Sequence, residues 1–227
     1  MVIFIIFGTF TNTDFVYTKT KHIFNLRRFA NMKNNDKLYK LTVTGLMAAL
    51  CFVAFTYIKI PIPIPGGDTT ALHIGNAFCV LAALLLGGVY GGLAGSLGMT
   101  IADIIDPIYI TSAPKTFILK FLIGLIAGFI AHKIAHISQD HSKAYVFKWS
   151  LISSVCALGF NVIADPIFGY FYKNYILGVP SPAAKIMSTW AAGATAINAV
   201  VGTIVVVVVY NALRPALKRS RLFTPVK

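Results

Sequence analysis

Apolar residues in this chain come in long unbroken runs rather than in amphipathic stripes. From Met32 onward six runs stand out, at Leu41–Ile60, Leu72–Gly87, Val89–Ile105, Pro114–Ala135, Tyr145–Tyr170 and Ala183–Tyr210. A segment that is hydrophobic on every side and near twenty residues long satisfies lipid on its whole circumference, with its backbone bonded internally. The first run is stopped by Pro61-Ile62-Pro63-Ile64-Pro65-Gly66-Gly67, which cannot continue a helix. Gly87-Gly88 turns the second run into the third, Pro114 suits a first helical turn, and the sixth run is expected to end before Arg214-Pro215. The pattern predicts an all-α fold, an integral membrane bundle of six transmembrane helices.

Composition agrees. The chain is 57% hydrophobic and 12% charged, too little charge to cover a soluble domain of 227 residues. The net charge of +13 would suggest nucleic acid in a soluble protein. Here the basic residues flank the apolar runs, which excludes a nucleic-acid partner and instead sets orientation against membrane lipid. With the amino terminus inside, the inner ends carry Lys33, Lys37, Lys40, Lys133, Lys143, Lys148, Arg214, Lys218, Arg219, Arg221 and Lys227. The outer side keeps Lys59, Lys115, Lys120, Lys173 and Lys185. That asymmetry predicts both termini in the cytoplasm. Small residues at Gly87, Gly91 and Gly95, and at Gly124 and Gly128, would let helices approach closely.

Residues 1–31 do not conform. Met1–Phe10 is apolar but too short to span, lacks the marks of a signal peptide, and is followed by a polar, patternless stretch. Met32 opens a normal short cytoplasmic tail, and Arg27-Arg28, if encoded AGG-AGG, would form a ribosome-binding sequence just upstream. The expectation is an extension from a mis-assigned start, with one six-helix domain over 32–227. A disordered tail is the alternative.

Polar side chains inside the runs are costly, at roughly 2.5–3.5 kcal/mol each, so their depth is informative. His73 and Asn76 open the second run, Asp103 and Asp106 close the third, and Lys115, Thr116 and Lys120 begin the fourth. Asn161 and Asp165 lie late in the fifth, and Lys185, Ser188, Thr189 and Trp190 start the sixth. All lie in the outer part of the membrane, while Phe78–Leu86, Phe121–Ile130 and Ala199–Val209 are nearly apolar. This describes a pocket open outside and sealed inside, not a pore. Candidate binding residues are Asp68, His73, Asn76, Asp103, Lys120, Asn161, Asp165 and Trp190. Asp103 and Lys120 reach similar depths on adjacent helices and are expected to form an ion pair. Asp106 and Lys115 are expected to be solvated loop charges. The loop Pro61–Thr70 is either a lid or a plain connector. Tyr109, Tyr170, Phe171, Tyr172, Tyr175 and Trp190 form either an interfacial belt or a stacking surface for a flat heterocycle.

Other chemistry is absent. The run Gly91-Gly92-Leu93-Ala94-Gly95-Ser96-Leu97-Gly98 lacks the Lys-Ser/Thr end of a phosphate loop, so the chain does not hydrolyse ATP. His132 and His136 have no carboxylate between them, Cys51, Cys79 and Cys156 have no metal spacing, and glutamate is missing altogether. No metal site, cofactor or enzyme activity is expected.

The ordered runs His73-Ile74-Gly75-Asn76-Ala77-Phe78, Gly87-Gly88-Val89-Tyr90-Gly91, Ile101-Ala102-Asp103-Ile104-Ile105-Asp106 and Ala113-Pro114-Lys115-Thr116-Phe117-Ile118-Leu119-Lys120 resemble the substrate-specific S components of energy-coupling factor (ECF) transporters. The similarity is strongest over Met32–Ala135. It implies a multi-pass protein of the bacterial plasma membrane that binds a vitamin-like small molecule from outside. It also implies a transmembrane coupling subunit and two ATPase subunits as partners. Small residues of the first helix would dock on the coupling subunit, here Gly45, Ala48 and Ala49. The competing reading is a stand-alone secondary carrier or channel.

Overall fold

The computed structural model describes residues 36–220 together with Leu222, Phe223 and Val226. The extension at 1–31 lies outside the described residues. Six helices follow in order: α1 (Asp36–Thr56), α2 (Gly75–Leu86), α3 (Gly88–Ile105), α4 (Ala113–Gly128), α5 (Lys143–Phe171) and α6 (Ser181–Arg219). Five segments are long and apolar enough to cross a membrane, and α2 is the shorter sixth. An all-α membrane bundle is the architecture.

The second apolar run resolves differently from the expectation. A two-stranded antiparallel hairpin, β1 (Lys59–Ile64) and β2 (Asp68–His73), occupies the proline-rich segment, in register from Lys59 opposite His73 to Ile64 opposite Asp68. Pro61 and Pro63 alternate on a strand that has only one partner, so their missing donors cost no ladder bond. Gly66 and Gly67 make the turn with φ of 102° and 87°, a backbone region that only glycine adopts freely. Leu72 and His73 thus belong to a strand, and α2 keeps only 12 residues, about 18 Å. So short a helix is tolerated because eleven of its residues are buried by protein, leaving only Phe78 partly exposed.

Glycine brings the helices around α2 and α3 into backbone contact. A methyl group on Gly91 would stand 2.3 Å from Ala83 Cα of α2, and one on Gly95 would stand 2.2 Å from Cys79 Sγ. On the other side of α3, Gly124 and Gly128 of α4 are equally close to Gly92 and Gly88. Gly98 meets the carbonyl of Ala48 on α1. The four-residue spacing expected for close approach is therefore used on two faces of one helix.

A π-helical turn over 129–134 continues α4 within its expected run. Two helix ends extend beyond expectation: another π-helical turn over 172–176 continues α5. Helix α6 runs through Pro215 instead of stopping before it. Arg214 anchors that end, donating from Nη2 to the carbonyls of Ile137 at 2.9 Å and Gln139 at 2.8 Å. Away from the hairpin the bundle is closed by buried Leu84, Leu86, Ala127, Ile137, Val206 and Tyr210.

Candidate functional site

At the hairpin end the helices enclose a cavity of about 100 Å³. Its floor comes from Asn76 at the start of α2, and its walls from Asp103, Lys120, Asn161 and Asp165 on α3, α4 and α5. The hairpin contributes Asp68, Thr69, Thr70, Ala71 and His73. Sixteen of the twenty lining residues carry a polar or charged group, the exceptions being Phe55, Ile64, Ala71 and Ala191. Small-molecule sites are ordinarily lined mainly by apolar side chains. This one is not.

Seven of the eight residues selected from sequence meet there: Asp68, His73, Asn76, Asp103, Lys120, Asn161 and Asp165. Trp190 does not line the cavity; it is 56% exposed, on the outside of α6. Of the aromatic group only Tyr109 enters the lining, while Phe171 and Tyr175 stack on each other at 5.9 Å and stay exposed.

The ion pairs are not the expected ones. Asp103 and Lys120 face the same space but lie beyond the 4 Å reach of a salt bridge. Lys115, which reads as a loop charge, instead reaches Asp165 Oδ1 at 2.9 Å, and Thr195 donates to the other carboxylate oxygen at 3.0 Å. Asp106, the other expected loop charge, pairs with Lys59 at 2.5 Å. The reason is topological: the hairpin folds back over the helix ends and covers groups that a plain loop would leave in water. Lys59 also lies 4.4 Å from the Tyr109 ring centre, which fixes it further. Lys173, at the end of α5, pairs with Asp68 and so ties the hairpin to that helix.

Asn198 is the main lining residue not expected from the sequence. Its Nδ2 donates to Ala71 O and its Oδ1 accepts from the His73 N–H, both at 2.9 Å, so α6 holds β2 as a neighbouring strand would. A lone carboxamide within the apolar run Ala196–Val201 was the available signal. Lys115, Lys173, Thr195 and Tyr109 also join the lining.

Electrostatics outside the spanning helices follow from this enclosure. Burial, aided by the nearby Lys120 charge, pushes His73 down to about 3, so its imidazole stays neutral. Burial raises Tyr109 to about 12, with Asp106, Asp68 and Asp103 adding to the effect. The hydrogen bond from Lys59 holds Asp106 below the usual carboxylate range.

Several buried side-chain atoms of the lining residues have no hydrogen-bond partner among the described residues. Asp103 is 1% exposed and its Oδ2 has no hydrogen bond; the Oδ1 atoms of Asn76 and Asn161 are likewise unsatisfied. Lys120 is 7% exposed and makes no ion pair there. Buried ions outside a salt bridge cost on the order of several kcal/mol each, offset here only in part by Thr116 beside Asp103 and by the Asp165 charge near Lys120. Such an arrangement can hold a polar solute. Among the described residues no group of His, Cys or Asp is arranged to hold a metal.

Comparison with known proteins gives the same class. A UPF0397 protein of Streptococcus agalactiae serotype Ia is 26% identical over 156 residues, covering 68% of this chain and 79% of the relative. A UPF0397 protein of Onion yellows phytoplasma is 28% identical over 142 residues, covering 62% and 69% respectively. No solved structure matches. The family model for the ECF-type riboflavin transporter, S component, matches residues 35–215, nearly all of the helical bundle. This chain belongs to that family: it is a substrate-binding, multi-pass membrane subunit of a transporter and not an enzyme.

Proposed function

We propose that the chain is the solute-capturing half of an ATP-driven importer in a bacterial plasma membrane, taking a vitamin or related nutrient from outside. Under this reading the hairpin end faces outward and both termini face the cytoplasm. A transmembrane coupling subunit and two ATPase subunits supply the power, because the sequence carries no phosphate loop of its own. The family model's name offers riboflavin as one solute to test. Asp68, His73, Asn76, Asp103, Lys120, Asn161 and Asp165 are the proposed binding residues.

The observation that carries the reading is the polar cavity under the hairpin, backed by apolar helices that glycine packs into close contact. A channel would need a polar path through its whole length. Gly45 and Ala49 support the docking assignment. Both are exposed on α1 beside Leu46, Leu50 and Val53, and a methyl group on Gly45 would meet nothing within 4 Å. Ala48 sits at the edge of that face, its carbonyl against Gly98.

Reconstitution tests the proposal. The chain alone in proteoliposomes should bind but not accumulate the solute recovered with it, identified by mass spectrometry. Uptake should appear when the coupling subunit, both ATPases and ATP are added. Accumulation by the chain alone would overturn the proposal in favour of a secondary carrier.

A further inference from the structure

The charges around the cavity are not all spent on one another. Asp165 is satisfied by Lys115 and Thr195, and Asp68 by Lys173. What remains among the lining residues is one ammonium outside any salt bridge, Lys120, and one carboxylate, Asp103, whose Oδ2 has no hydrogen bond. Neither has an ionic partner among the described residues, and both are almost fully buried. They lie more than 4 Å apart, so no salt bridge joins them. A solute with its own opposite charges close together fits between them without breaking an existing bond.

Resting on the capture reading above, we propose that the solute is a small zwitterion, its anionic group held by Lys120 and its charged, N–H-bearing nitrogen held by Asp103. The unsatisfied Oδ1 atoms of Asn76 and Asn161 accept the nitrogen's remaining protons. A simple anion would gain Lys120 but confront Asp103, and a simple cation would meet the reverse. A neutral tricyclic flavin would leave both charges without a salt bridge in a buried site. It would also need more apolar wall than four residues provide. The solute is therefore more polar than riboflavin.

The test uses purified full-length protein. Small molecules released on denaturation are identified by mass spectrometry. In parallel the folded protein is titrated calorimetrically with an equimolar mixture of the common amino acids, with their decarboxylated amines and deaminated acids, and with riboflavin. The proposal expects a zwitterion to be released or bound, with affinity at least tenfold above its singly charged analogues. Lys120→Met and Asp103→Asn should each weaken it tenfold or more, with Lys120→Gln as a second variant should Lys120→Met not fold. A cooperative melting transition at or above the parent's temperature establishes that the variants are folded. Binding of riboflavin or a singly charged compound, with less than twofold change in the variants, overturns the zwitterion and leaves solute capture standing. Folded protein that releases nothing and binds none of the probes overturns both.

Discussion

In a Gly124→Ala variant the new methyl carbon would stand 2.3 Å from both Cα and N of Gly92, and 2.8 Å from the carbonyl carbon of Gly91. Ordinary carbon–carbon contacts sit at about 3.5–4.0 Å, so α3 and α4 would have to part by more than about 1 Å at their crossing. Both sides of the contact are backbone, and no rotamer change relieves it. The same separation would loosen Gly128 against Gly88, one turn further along. Overpacking costs about 1–3 kcal/mol where side chains can shift. Here the cost lies at the top of that range, about 3 kcal/mol. For a chain of this size that corresponds to a fall in melting temperature of about 6–12 °C.

A thiol-reactive fluorophore reads the transition directly, because Cys51 and Cys79 are buried. Cys156 is exposed and is first replaced by serine. Gly45→Ala serves as the control. Nothing lies within 4 Å of its added carbon, and the gain in helix propensity stabilises by about 0.5–1 kcal/mol. A Gly124→Ala melting temperature within about 2 °C of the parent would refute the assignment of these glycines to backbone contact.

Lys115→Met leaves the Asp165 carboxylate buried beside Thr195 without its ion-pair partner and should destabilise by about 3–5 kcal/mol, measured by the same thermal assay. Asn198→Leu removes both bonds that hold β2 to α6, orphaning a buried N–H and carbonyl, so it should cost about 1–3 kcal/mol and speed solute release in stopped-flow dissociation. Acid should destabilise the protein through His73. Its folded value of about 3 lies below the ordinary 6.5, so its stabilising contribution is present above pH 6.5 and is lost as pH falls toward 3. His73→Gln should flatten the fall in melting temperature between pH 6.5 and 4. Gly45→Leu should leave the melting temperature the same or slightly higher while abolishing co-purification with the coupling subunit, since its bulk lies on an exposed face.

Hydrophobicity by itself determined that the chain lies in a membrane and how many helices it forms, because lipid imposes a one-dimensional rule on each segment. The depth of Asp103, Lys120, Asn161 and Asp165 could likewise be read along the chain, since depth is set by distance from a span's end. Pairing could not. Whether Lys120 meets Asp103 depends on how α3 and α4 rotate about their axes, and glycine contacts at Gly92 and Gly124 decide that rotation. The same holds for Lys115, whose partner Asp165 lies fifty residues away on α5. The proline-rich segment concealed a hairpin because its bonds to Asn198 and Lys173 come from distant helices. Trp190 shows the converse: its position in sequence suited the cavity, but the turn of α6 carries it to the outside of the bundle. A polar region at one end of the bundle was thus legible in the order of residues alone. Only tertiary packing decided which of its charges cancel, leaving Lys120 and Asp103 open.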